Sequence, residues 1–110
     1  MQVAAPDDAE FAESATRWLW DVSSVDRSAA SVWGRHPQAL AFRVACDIEA
    51  RIHGARLAYA RARTALAESG VDAEEVLRQI EAEGAELQRL QREVAMVGEA
   101  LAGRRWQARL

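Results

Sequence analysis

The stretch Glu68-Ser69-Gly70-Val71-Asp72-Ala73-Glu74-Glu75 decides the fold. Ser69-Gly70 is a helix stop, because glycine enters without penalty the left-handed conformation in which many helices end. Asp72 is a helix start. Its carboxylate can accept from the free amides of the next turn, and Glu75 three residues on completes the Asp-x-x-Glu form of a capping box. Val71 and Val76 flank that cap where a hydrophobic staple would sit.

Moving outward from Val71, the two sides mirror each other. One side reads Leu66, Ala62, Tyr59, Ala55, Ile52, Ile48, Ala45 and Ala41; the other reads Val76, Ile80, Glu83, Leu87, Leu90, Val94, Val97 and Leu101. Both series step alternately by four and three residues, the spacing that keeps one side of a helix on a partner helix. Each position lies as far from Val71 as its opposite, so the chain is expected to fold back with these positions meeting layer by layer. Small residues oppose large ones: Ala55 with Leu87, Ala62 with Ile80, Ala45 with Val97, Ala41 with Leu101. Such layers interdigitate without voids. The exception is Tyr59 opposite Glu83, beside Gly84. A phenol–carboxylate hydrogen bond there would set the register. Arg51 and Glu93 fall at facing flank positions, an exposed pair worth ~0.2–1 kcal/mol.

Ahead of the hairpin, Pro6 and Asp7 open a helix over 7–22 whose stripe is Phe11, Ala12, Ala15, Trp18, Leu19 and Val22. A shorter helix is expected over 25–33, stopped by Gly34. His36-Pro37 restarts the chain, with proline at the first helical position, where its missing N–H is harmless. Two flanks near the open end of the hairpin are apolar. One carries Leu40, Val44, Met96 and Ala100; the other carries Phe42, Cys46, Ala95, Gly98 and Ala102. Both read as docking surfaces for the N-terminal helices. Toward the turn, outer positions such as Arg56, Arg61, Arg78, Glu81 and Glu86 are charged, which leaves a bare two-helix tip suited to self-association or a partner helix. The expected fold is all-α, a single domain over 1–110. A long antiparallel, coiled-coil-like hairpin (arms 37–68 and 73–102) carries one or two shorter N-terminal helices at its open end, as a three- to four-helix bundle. Residues 103–110 form a basic tail.

Composition agrees. The chain has 110 residues and 50% hydrophobic content, of which 24 residues are alanine, with only six glycines and two prolines. Alanine favours helix and permits close interhelical approach. All 14 basic residues are arginine and lysine is absent, which reads as the coding bias of a GC-rich bacterial genome. The net charge of −3, with both signs interspersed, argues against global attraction to nucleic acid or an anionic membrane. A single cysteine, no apolar leader near the N-terminus and no apolar run of membrane-spanning length point to the cytoplasm and against a membrane.

Chemistry is hard to assemble from these residues. With two histidines and one cysteine, and no glycine-rich loop, neither a catalytic triad nor a phosphate cradle can be built. Cys46, Glu49 and His53 share adjacent turns of one face but lack a fourth ligand, so no metal or cofactor is expected and Cys46 reads as a small buried residue. Arg51, Arg56 and Glu83 superficially resemble the charged interior of helical chorismate mutases, which use a lysine this chain lacks. Trp33-Gly34 lacks the intervening residue of the WXG-type secreted hairpins and lies outside the turn. An enzyme is therefore the least favoured reading.

The aromatic signal is stronger. Trp18, Trp20, Trp33 and Trp106 all fall near the open end, where Trp18 belongs to the core stripe. The others either close an aromatic mini-core or anchor a partner, since Trp and Arg dominate interface hot spots. The expected function is a non-catalytic helical interaction module, an adaptor or regulator that binds a protein partner or itself as a homodimer. Trp20, Trp33, Arg104, Arg105 and Trp106 are the candidate partner-binding residues. The alternative is a nucleic-acid-associated factor whose tail, with Arg104, Arg105 and Arg109 around Trp106, contacts phosphates and stacks a base.

Overall fold

A computed structural model of the chain describes residues 5–24 and 31–103. They form four helices: α1 (Ala5–Val22), α2 (Ser31–Arg35), α3 (Pro37–Ala65) and α4 (Ala73–Leu101), with no strand among the described residues. The two long helices have 29 residues each, about 43 Å at 1.5 Å per residue. They pack against each other as the antiparallel hairpin predicted from the mirror.

The turn is built as its sequence demands. Asp72 caps α4, its Oδ1 accepting from the amides of Glu74 at 3.0 Å and Glu75 at 3.3 Å. The reciprocal bond from Glu75 to the Asp72 amide, the other half of a capping box, is not made. Val71 stays half exposed, so the staple is one-sided. Gly70 takes φ +80°, the backbone state that only glycine adopts at little cost. Helix α3 ends at Ala65, short of the expected Glu68. Its chain tightens first: the Leu66 amide still reaches Ala62 O at 2.9 Å, whereas the Ala67 amide reaches only to Thr64 O at 3.4 Å. Ser69 then fastens the turn, its Oγ donating to Leu66 O and accepting from the Val71 amide. Across the hairpin next to the turn, Arg63 grips the Glu74 carboxylate with Nε at 3.0 Å and Nη2 at 3.2 Å.

The main core joins Leu19 of α1 to Leu40, Ala41, Val44, Ile48 and Ile52 of α3 and to Leu87 and Val94 of α4. Leu19, Leu40, Val44, Ile48 and Val94 are fully enclosed, each contributing roughly 1.5–3 kcal/mol of burial. A smaller cluster of Ala62, Leu77 and Ile80 lies toward the turn. Here the seam of α4 differs from the expected one. Leu77 is buried where Val76 was expected to lead, and Gly84 sits closer to the seam than Glu83, which is exposed. A carboxylate keeps its hydration outside the seam, and Gly84 next to it takes the more enclosed position.

Helix α1 lays Ala15 and Leu19 against the flank of Leu40 and Val44. The short helix is displaced from expectation: Ser31–Arg35 is helical, Gly34 lies within it, and residues 25–30 lie outside the described ones. Gly34 does not stop it; the following proline does. Pro37 disfavours helical geometry in the residue before it, and His36 accordingly takes φ −130°, ψ 85° and starts α3 without a side-chain cap.

The second flank departs most from expectation. Among the described residues nothing covers it, Phe42 is 67% exposed, and Cys46, expected to be buried, is exposed as well. One helix with one apolar stripe fills one groove, and α2 with five residues is too short to fill another. The described open end is thus a three-helix bundle with a short fourth helix at the base of α3.

Candidate interaction surfaces

Three tryptophans do gather at the open end. Trp18, Trp20 and Trp33 are each half-buried and pack against the aliphatic main core, which leaves part of each ring exposed. Arg104, Arg105, Trp106 and Arg109 lie outside the described residues, as does the rest of the tail after Gly103.

A polar clasp that the sequence reading missed holds the end of α1. Asp47 on α3 accepts from the Ser24 hydroxyl at 2.6 Å and the Ser24 amide at 3.2 Å. One turn on, Arg51 donates to Val22 O at 3.2 Å and stands 3.7 Å from Asp47. Arg51 therefore serves a carbonyl at the C-terminus of α1 and does not pair with Glu93, which Arg89 holds instead. Asp47 and Arg51 stand one turn apart on α3, next to the flank that receives α1. That spacing was the available signal. At the opposite end of the hairpin arms, Gln38 Nε2 donates to Leu101 O at 2.8 Å and ties the base of α3 to the end of α4.

Tyr59 and Glu83 do not meet. Tyr59 lines a cavity of about 140 Å³ with Ile52, Arg56, Glu81 and Gly84, while Glu83 lines a groove on the other side of the seam. No hydrogen bond joins them, so they do not set the register. The one-residue shift of the α4 seam separates them.

Two long grooves run between the arms. The first follows the uncovered flank, with Ala41, Phe42, Ala45, Ala95, Gly98 and Ala102 among its lining and a volume of about 460 Å³. The second, of about 620 Å³, lies on the α1 side beyond the end of that helix and includes Gly54, Ala58, Ala82, Glu83 and Glu86. Both are shallow and open, the first walled mainly by alanine and glycine, the second also by Arg51, Gln79, Leu87 and Leu90, unlike the enclosed pockets with convergent polar groups that hold small substrates. An apolar corner of Phe11, Trp18, Met96 and Val97 completes the open surface.

The electrostatics of these surfaces are those of exposed helix pairs. Arg89 bonds Glu86 and Glu93 along α4; the hydrogen bond from Arg89 holds the Glu86 carboxyl below the ordinary glutamate range and the guanidinium above its own. Its hydrogen bond to Glu74 likewise raises Arg63. Glu49 and His53 lie 3.8 Å apart on α3. Among the described residues no group of three His, Cys, Asp or Glu is placed to hold a metal ion. No described helix is long and apolar enough to cross a membrane. Comparison with known proteins returned no matching family model, curated protein or solved structure.

Proposed function

We propose that this chain is a non-catalytic helical interaction module, an adaptor or regulator that recognises proteins through helix faces and pairs with itself, as a homodimer in the bacterial cytoplasm. The observation that supports this reading is the uncovered flank. Phe42, two-thirds exposed, projects beside a floor of alanine and glycine, where a monomer would gain by placing a polar residue. A large exposed aromatic next to a strip of small residues suits an incoming helix, because the small residues permit close approach and the ring supplies an anchor. The open, shallow grooves fit a helix better than a substrate.

Light scattering on the purified chain, together with affinity capture from cells, tests the reading. A particle larger than one chain, returning to one chain when Phe42 becomes Asp, agrees with it. A strict monomer that retains no specific partner overturns it.

A further inference from the structure

Two apolar places on the described surface lack cover, the Phe42 flank and the corner around Phe11 and Met96, and a groove of mixed polarity runs beyond α1. On the first, the neighbouring charges say what covers it. Helix α3 presents Glu49 and Arg56 along this side; helix α4 presents Glu81, Arg92 and, seven residues beyond Arg92 on the same face, Glu99, which lines the groove itself. By distance from Val71, Glu49 stands at nearly the height of Arg92, since they lie 22 and 21 residues from it. Phe42, 29 residues away, stands level with the stretch from Gly98 to Ala102. Each arm thus carries, at the same height, what would complement the other arm of an identical molecule.

We propose that a second copy of this chain covers the flank, related by a two-fold axis along the hairpin, so that α3 of each lies against α4 of the other. This deepens the self-pairing reading above and rests on it. In this arrangement Phe42 of each copy seats among Ala95, Gly98 and Ala102 of its partner. The Glu49 carboxylate meets the partner's Arg92 guanidinium on the rim of that seat. An inverted arrangement would set α3 on α3 and take Phe42 away from the small residues toward Arg56 and Arg63. The seat and the charges therefore select the same orientation. The α1 helices lie on the opposite side of each hairpin and do not obstruct the contact. Gly98 keeps the seat open: a Cβ there would meet only Ala41 Cβ, at 3.8 Å, so the space belongs to the groove and not to the core. Arg92 has no ion pair among the described residues, and Glu49 has only the exposed His53.

Charge exchange tests the arrangement. Sedimentation equilibrium of E49R and of R92E, each checked for unchanged helicity, is expected to show the dimer dissociation constant raised about tenfold. An equimolar mixture of the two variants, or the double variant E49R/R92E, recovers wild-type association. In either case each Arg again faces a Glu, and only in the α3-on-α4 arrangement. Weakening without recovery, or a dimer indifferent to both substitutions, overturns the arrangement while self-pairing still stands. A wild-type monomer that captures a different protein through Phe42 overturns the second copy as occupant but leaves the interaction reading in place.

Discussion

Asp47 accepts both hydrogen bonds that Ser24 can donate, Oδ1 from the hydroxyl and Oδ2 from the amide. The contact joins residues 23 apart in sequence and fixes where α1 ends on α3. Its carboxylate is only 13% exposed, so the bonds are partly shielded from water. Asp47→Ala is expected to lower stability by about 1.5 kcal/mol, the lower end for hydrogen bonds to a charged group. Urea unfolding measures the loss. Tryptophan fluorescence checks its location, because Trp18 and Trp20 sit on the helix that is freed. A loss of stability with unchanged tryptophan emission would place the effect elsewhere.

Ile48 and Val94 belong to the same core cluster, toward the open end of the arms, and are almost wholly enclosed. Ile48→Ala leaves a cavity that two long helices cannot close, and is expected to cost about 2–5 kcal/mol. In a chain this small that is a large share of total stability. Phe42→Ala, by contrast, should change the stability of the dilute monomer by no more than about 0.5 kcal/mol. Chemical denaturation at low protein concentration separates the two. A large cost at Phe42 under those conditions would mean that the ring already packs within its own chain.

The contrast between these two residues shows what the sequence could disclose. Three-four periodicity about Val71 fixes the hairpin because it is a property of backbone geometry, summed over many turns. The cap at Asp72 and the proline start at Pro37 are equally local and equally legible. Periodicity is weaker at choosing between neighbours, so the seam near the turn was read one residue off, through Glu83 in place of Gly84 and Val76 in place of Leu77. It also cannot tell a flank that is covered from one that is merely apolar. Leu40 with Val44 and Phe42 with Cys46 look alike in sequence, yet α1 has only one stripe and covers only the first pair. The Asp47–Ser24 clasp depends on where the chain goes after α1, and the spacing of Asp47 and Arg51 marks only its α3 half.

Gly70 and Gly84 should respond oppositely to the same substitution. Neither would bring an added Cβ within 4 Å of another group, so sterics do not decide. At φ +80° Gly70→Ala forces an L-residue into the left-handed region and is expected to destabilise by about 1–2 kcal/mol. Within α4, Gly84→Ala removes backbone freedom from the unfolded chain and should stabilise by about 0.5–1 kcal/mol. Paired thermal melts give the signs. Two shifts in the same direction would contradict the backbone conformations described.

Glu86 offers a pH test along α4. Its pKa lies below the ordinary glutamate value because Arg89 bonds the ionised carboxylate. A carboxyl with a depressed folded-state pKa favours the folded chain above its unfolded value, and that contribution disappears as pH falls through the folded value. Since both side chains are exposed, water and salt screen the pair, so its effect on global stability is expected to be slight. The titration itself is the sharper readout. Side-chain carboxyl resonances followed by NMR should place the Glu86 midpoint below the ordinary glutamate value, and Arg89→Ala should bring Glu86 back toward the ordinary range. Because Arg89 also holds Glu93, the same variant should release both carboxylates and fray the middle of α4. Faster amide exchange around residues 86–93 would show that release. An unchanged Glu86 midpoint in Arg89→Ala would remove Arg89 as the cause.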